Sequence, residues 1–158
     1  MNSKPLLPPV VKAFFHQTAV RCAGIAVVLA GVAVAAALAT YRISDPSFNT
    51  ATGETPHNAL GYFGSYLSDT LWQYFGFGAL LFPIALIAWG IIVLRLKWHK
   101  FQALRILCFV PTLLLILIML SALPFAAGWP VYAGAGGAVV PAFYTPVIAL
   151  LEKAHFPY

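Results

Sequence analysis

The chain has 158 residues, of which 61% are hydrophobic and 8% charged, and a formal net charge of +5. Soluble domains carry roughly 25% charged residues, so these side chains are too few to cover a water-facing surface, and the composition requires a membrane-embedded chain. The nine Lys and Arg residues lie beside apolar stretches, as topology signals do, and form no basic stripe; direct nucleic-acid binding by this segment is not expected.

In chain order, residues 1–17 contain Lys4, Lys12 and the prolines Pro5, Pro8 and Pro9 without periodicity, and read as a cytoplasmic N-terminal segment. After Arg21 an uncharged run from Cys22 to Ala39 follows, close to the roughly 20 residues that cross a hydrocarbon core; with its flanks the first span covers about 19–41. A cleaved secretory leader is the competing reading, since Ala37-Leu38-Ala39 has the form of a cleavage site. The apolar run is longer than the 7–15 residues of a signal h-region, which favours an uncleaved anchor.

Residues 42–57 leave the membrane. Asp45-Pro46 is a turn-initiating pair, Gly53 breaks the segment again, and Thr55-Pro56 has the form of a helix cap followed by a first-turn proline. From His57 to Thr70, Leu60, Phe63, Leu67 and Leu71 recur at helical spacing, with Asn58, Gly61, Ser65 and Asp69 on the other side. Such a stripe, with Tyr62 and Tyr66, suits a helix at the membrane–water interface. His57 reads as a solvated loop histidine.

The second span covers about 71–94, with Trp72 and Tyr74 at its outer end and Trp98 beyond its inner end. Gly76, Gly78, Pro83 and Gly90 are expected to weaken or bend it, with a kink at Pro83, and the glycines, like Gly24 and Gly31 in the first span, supply faces for close helix approach. Arg95 to Arg105 is the densest basic stretch. The third span covers about 104–127, with Pro111 near its start and Trp129 beyond its end. Residues 128–158 form a glycine- and proline-rich segment in which the apolar stretch from Val139 to Leu151 is too short to span; it reads as interfacial or re-entrant.

Seven basic residues (Lys4, Lys12, Arg21, Arg95, Lys97, Lys100, Arg105) fall on one side of three crossings and two (Arg42, Lys153) on the other. The positive-inside rule then places the N-terminus and residues 95–103 in the cytoplasm, and residues 42–70 and the C-terminus outside. The fold class is all-α, a polytopic membrane helical bundle. The two cysteines, Cys22 and Cys108, have no metal-ligand or redox spacing. No phosphate-binding loop or nucleophile–base constellation occurs, and no charge lies within the apolar body of a span, which speaks against an ion or proton pathway. No catalytic, cofactor or metal site is expected.

The order Asp45-Pro46-Ser47-Phe48, Ala51-Thr52-Gly53, Asn58 with Gly61 and Gly64, Asp69, Phe75-Gly76, Pro83, Trp89-Gly90 and Arg95, followed by the glycine-rich Gly134 to Ala138, resembles the N-terminal four-helix membrane region of the FtsK/SpoIIIE family of bacterial DNA translocases over roughly residues 18–140. The resemblance implies an inner-membrane anchor at the division septum that contacts other division proteins, self-associates, and takes part in cell division and chromosome segregation. In the family this region precedes a linker and a hexameric ATP-driven motor. Here the fourth crossing is missing or incomplete and the motor is absent, so a truncated or partial chain is expected. A small transporter or channel subunit is the alternative.

Overall fold

The computed structural model describes residues 8–96, 102–122 and 134–153. Helix α1 (Pro9–Ala39) opens on a proline at its first position, where the ring's fixed φ suits the helix and the missing N–H costs nothing. It takes in residues 9–17, which carry no helical periodicity in the sequence. Val10, Phe14 and Phe15 of this stretch are exposed, so no apolar face is packed against the bundle there to impose a helical period on the sequence. At the other end the Thr40 N–H and hydroxyl both donate to the Ala36 carbonyl, at 3.0 and 2.7 Å.

Helix α2 spans Gly61–Phe75, later than the Thr55-Pro56 start expected from the sequence. The reason is local: the His57 N–H donates to the Asp45 carboxylate (3.1 Å) and the Gly61 N–H to the Asn58 carbonyl (2.8 Å). These bonds hold residues 57–60 in a turn, and a capping threonine upstream cannot compete with them. A 3₁₀ turn, Gly76–Leu80, then joins α2 to α3 (Leu81–Leu94). The break lies at Gly76, with φ 53° and ψ −134°, which L-residues avoid. Pro83, where a kink is expected from the sequence, lies beyond that break. It sits in the first turn of α3, where its missing N–H has no helical partner to lose.

Helix α4 (Gln102–Ser121) passes through Pro111 without interruption, and α5 (Val139–Lys153) likewise contains Pro146. Three helical runs, 9–39, 61–94 and 104–121, are long and apolar enough to cross a membrane. The 15 residues of α5 extend about 22 Å, short of the roughly 30 Å hydrocarbon core. The second run thus includes α2, which the sequence reading separates from its span. The expected end of the third span (123–127), its Trp129 anchor, the inner-end Trp98 with Lys97 and Lys100, and the segments 1–7 and 154–158 lie outside the described residues.

The closest packing is the antiparallel seam of α1 and α3. Gly24, Gly31 and Leu38 are buried along α1 at seven-residue spacing, two helical turns apart on one face. A Cβ on Gly24 would lie 2.9 Å from the Leu94 backbone nitrogen, and one on Gly90 2.8 Å from that of Val28. The backbones touch here. Helix α4 joins the bundle through Leu113 and Leu117, its two buried side chains among the described residues; these pack with Val140 of α5 and with Phe75, Leu81 and Phe82. Aromatic rings link the helices in turn, Phe75 to Phe82 at 4.8 Å, Phe82 to Phe109 at 6.0 Å, and Phe109 to Trp89 at 5.4 Å.

Candidate functional site

Every buried polar or charged side chain among the described residues lies between positions 45 and 69: Asp45, Ser47, Asn58, Ser65, Ser68 and Asp69. They form one cap, in which the loop after α1 folds over the polar side of α2. Helix α2 is amphipathic as the sequence indicates, but its polar side faces inward. Gly64, Ser65, Ser68 and Asp69 are buried, while Tyr62 and Phe63 are 58% and 71% exposed. Burying polar groups is costly unless each finds a partner, and here the loop supplies the partners.

Asp69 accepts hydrogen bonds from the Tyr41 hydroxyl and the Asn49 side-chain amide, both at 3.1 Å. Burial first, and then the adjoining Asp69 carboxylate, raise the Tyr41 phenol above the ordinary tyrosine value, a shift partly offset by a bond with Gln73. Tyr41 lies beyond the last helical residue of α1, Ala39. Asp45 receives the His57 N–H on both oxygens and stands 3.2 Å from the His57 imidazole Nδ1. Among the described residues neither carboxylate meets a lysine or arginine. They act as hydrogen-bond acceptors that organise backbone and neutral side chains.

Asn58 is the keystone of the cap. Its amide donates to the Ala37 carbonyl at the end of α1 (2.8 Å) and to the Ser68 hydroxyl on α2 (3.3 Å), and its oxygen accepts the Leu60 N–H (3.1 Å). A Cβ on Gly64 would collide with that oxygen. Ser65 donates to the Pro46 carbonyl at 2.8 Å, which pins the Asp45-Pro46 turn to α2. Ser47 accepts the N–H groups of Asn49 and Thr50, and the Phe48 ring meets Tyr66 edge to face at 4.8 Å.

The cap brings together Asp45, Pro46, Asn58, Gly64 and Asp69 of the residues singled out in the sequence. Gly53 has open space around it; Gly61 has too, and serves instead by its φ of +60° at the start of α2. Gly76 lies at the other end of α2, against the carbonyl of Ala135. Pro83, Trp89 and Gly90 belong to α3, and Arg95 is the residue that ends it. Tyr41, Asn49, Ser65 and Ser68 complete the cap although the sequence reading passes over them as a group. The polar spacing of Ser65, Ser68 and Asp69 on one helix side is the signal that could have found the last two.

No three potential metal ligands come together among the described residues. The bonds fix the loop after α1 to the end of α1 and to α2.

The family model described as the 4TM region of DNA translocase FtsK/SpoIIIE matches residues 18–152. The chain is similar to the DNA translocase FtsK of Rickettsia typhi, 40% identical over 121 residues, which is 72% of this chain and 15% of that protein. Against the FtsK of Agrobacterium fabrum it is 35% identical over 132 residues, covering 82% and 15%. The FtsK of Caulobacter vibrioides is 35% identical over 144 residues, covering 83% and 16%. The chain thus spans about 15% of the length of the first two relatives. No solved structure matches it.

Proposed function

The chain belongs to the family of the 4TM region of the DNA translocases FtsK and SpoIIIE, and from that membership we propose that it works as the inner-membrane anchor and interaction module of an FtsK-type translocase, at the division septum. It holds position by helix packing in lipid and offers its external cap, and its apolar helix faces, to septal membrane proteins and to other copies of itself. It carries no catalysis of its own; ATP-driven movement of DNA belongs to a motor of the kind that the family's name implies. The N-terminus lies in the cytoplasm and residues 42–70 outside.

The observation that carries this reading is where the buried polar groups lie. They all sit in the cap among the described residues, and the helix seams are closed by glycine and apolar side chains. Transporters and channels place ionisable or polar groups within the membrane interior, facing a pathway; that distribution favours an anchor over the transporter alternative. The test is a fluorescent fusion of this chain expressed in dividing bacteria. A membrane-fraction protein concentrated at the constriction is expected. Even distribution around the envelope overturns the septal role, and recovery in the soluble fraction overturns the anchor itself.

A further inference from the structure

The break between α2 and the 3₁₀ turn is filled by another part of the chain. In an uninterrupted α-helix the Phe77 N–H would donate to the Gln73 carbonyl, four residues back. Here the Phe77 N–H donates instead to the Ala135 carbonyl (2.9 Å), and the Gln73 carbonyl accepts the Ala138 N–H (2.9 Å). The loop Gly134–Ala138 is therefore spliced into one missing rung of the helix. Its own turn is closed by the Gly137 N–H on the Gly134 carbonyl at 3.1 Å, and α5 starts at the next residue, Val139.

The fit is made by glycines. A Cβ on Gly76 would strike the Ala135 carbonyl, one on Gly137 the Tyr74 carbonyl, and one on Gly136 the Leu117 carbonyl and the Ser121 hydroxyl. Gly76 and Gly137 also take positive φ, 53° and 70°. Three backbones, those of α2, α4 and the loop, meet at van der Waals distance.

We propose that this loop is a removable wedge, so that the α2–α3 junction is a two-state element. With the wedge seated, the helix is broken and α5 begins against it. With the wedge withdrawn, Phe77 and Gln73 bond to each other and α2 runs into α3 as one helix. The physical reason is that an N–H and a C=O left open near hydrocarbon are costly, and these two groups are the pair that a regular helix joins. Losing the loop therefore drives closure of the rung. Helix α2 also carries Asp69, Ser65 and Ser68 of the external cap, and a cavity of about 350 Å³ is lined by Ile43, Asn49, Thr50, Gln73, Tyr74 and Ala138, from cap, helix and wedge alike. The junction and the cap thus share helix α2, and the cavity leaves room between wedge and loop for the junction to rearrange.

The experiment uses the full chain in lipid nanodiscs, with Cys22 and Cys108 replaced by serine and spin labels at Tyr62 and Ile84, both exposed. Gly137→Val and, separately, Gly136→Leu unseat the wedge from different sides; circular dichroism identifies a variant that has lost its helices, and the other then gives the result. The expected outcome is a label distance moving to that of an uninterrupted helix, about 33 Å at 1.5 Å per residue. Amide exchange at Ala138 should accelerate at least ~10-fold while Phe77 stays protected, because only Phe77 finds a new partner. Exchange that accelerates at both amides with an unchanged label distance overturns the proposal, since the break would then belong to Gly76 alone. An unchanged distance with both amides still protected overturns it as well.

Discussion

Gly53 and Gly64 lie eleven positions apart, in the stretch that runs from the end of α1 into α2, and have opposite surroundings. Gly53 has no atom within 4 Å of the place a Cβ would occupy, whereas at Gly64 that place is filled by the Asn58 side chain. Gly64→Ala should therefore displace Asn58, breaking its bonds to Ala37 and Ser68, and lower stability by about 2 kcal/mol. Gly53→Ala should stay within about 0.5 kcal/mol of the parent. Denaturant titration of both variants in the same micelles checks this; equal effects would remove Asn58 from its central place in the cap. Tyr41 gives a second prediction at this scale. Its pKa is raised by burial and by Asp69, so the stability contributed by the protonated phenol is complete below the unfolded tyrosine value of about 10 and declines as pH rises beyond it. The stability difference between the parent and Tyr41→Phe should accordingly be constant from pH 7 to 9 and shrink above pH 10. A difference that does not change across that window would mean that the Tyr41 proton is not held by Asp69.

Among the helices, the α1–α3 seam depends on backbone proximity and α4 depends on two leucines. Since lipid chains are as apolar as leucine, helix association in a membrane relies on close packing, and the Gly24–Gly90 contact provides it. Gly90→Leu should separate α1 from α3 and cost about 1–3 kcal/mol, while Ile91→Leu, on the exposed side of α3, should cost almost nothing. Unfolding in mixed micelles, followed by Trp89 fluorescence, measures both. If Gly90→Leu is as stable as the parent, the seam is not the bundle's main contact. Much of this level was legible in the sequence: uncharged length marked the three crossing runs, and the small residues Gly24, Gly31, Gly76, Gly78 and Gly90 pointed to close faces. Other parts were not. The helical state of residues 9–17 leaves no periodic trace because its apolar side chains pack on nothing, and the inward polar side of α2 follows from a loop whose path is set by long-range bonds to Ala37 and Asp69. The break at Gly76 likewise depends on Ala135 and Ala138, some sixty residues away. Locally, Gly76, Gly78, Pro83 and Gly90 are all candidate weak points, and nothing near them in the sequence singles out Gly76.

For the molecule as a whole, the antiparallel seam gathers charge by end. Gly24 lies against Leu94, so Lys12 and Arg21 of α1 share an end with Arg95, which closes α3, while Arg42, Asp45 and Asp69 belong to the other end with the cap. Orientation then rests on a difference in Lys and Arg count near the span ends, the quantity that governs topology; acidic residues contribute little. With seven basic residues on one side and two on the other, a periplasm-active reporter fused after residue 55 should be active and one fused after residue 100 inactive. The stronger test moves the charge. Replacing Arg95, Lys97 and Lys100 by glutamine and Ala51, Thr52 and Glu54 by lysine leaves four basic residues on the inner side and sets five on the outer. Of these, Ala51, Thr52, Glu54 and Arg95 make none of the glycine contacts of the Gly24–Gly90 seam, and the packing can form in either orientation. A substantial part of the population should then invert, seen as reporter activity appearing at residue 100 and falling at residue 55. If the six-residue variant keeps the parent's pattern, charge does not set the orientation, and the direction in which the bundle crosses must come from the order in which its helices insert and pack.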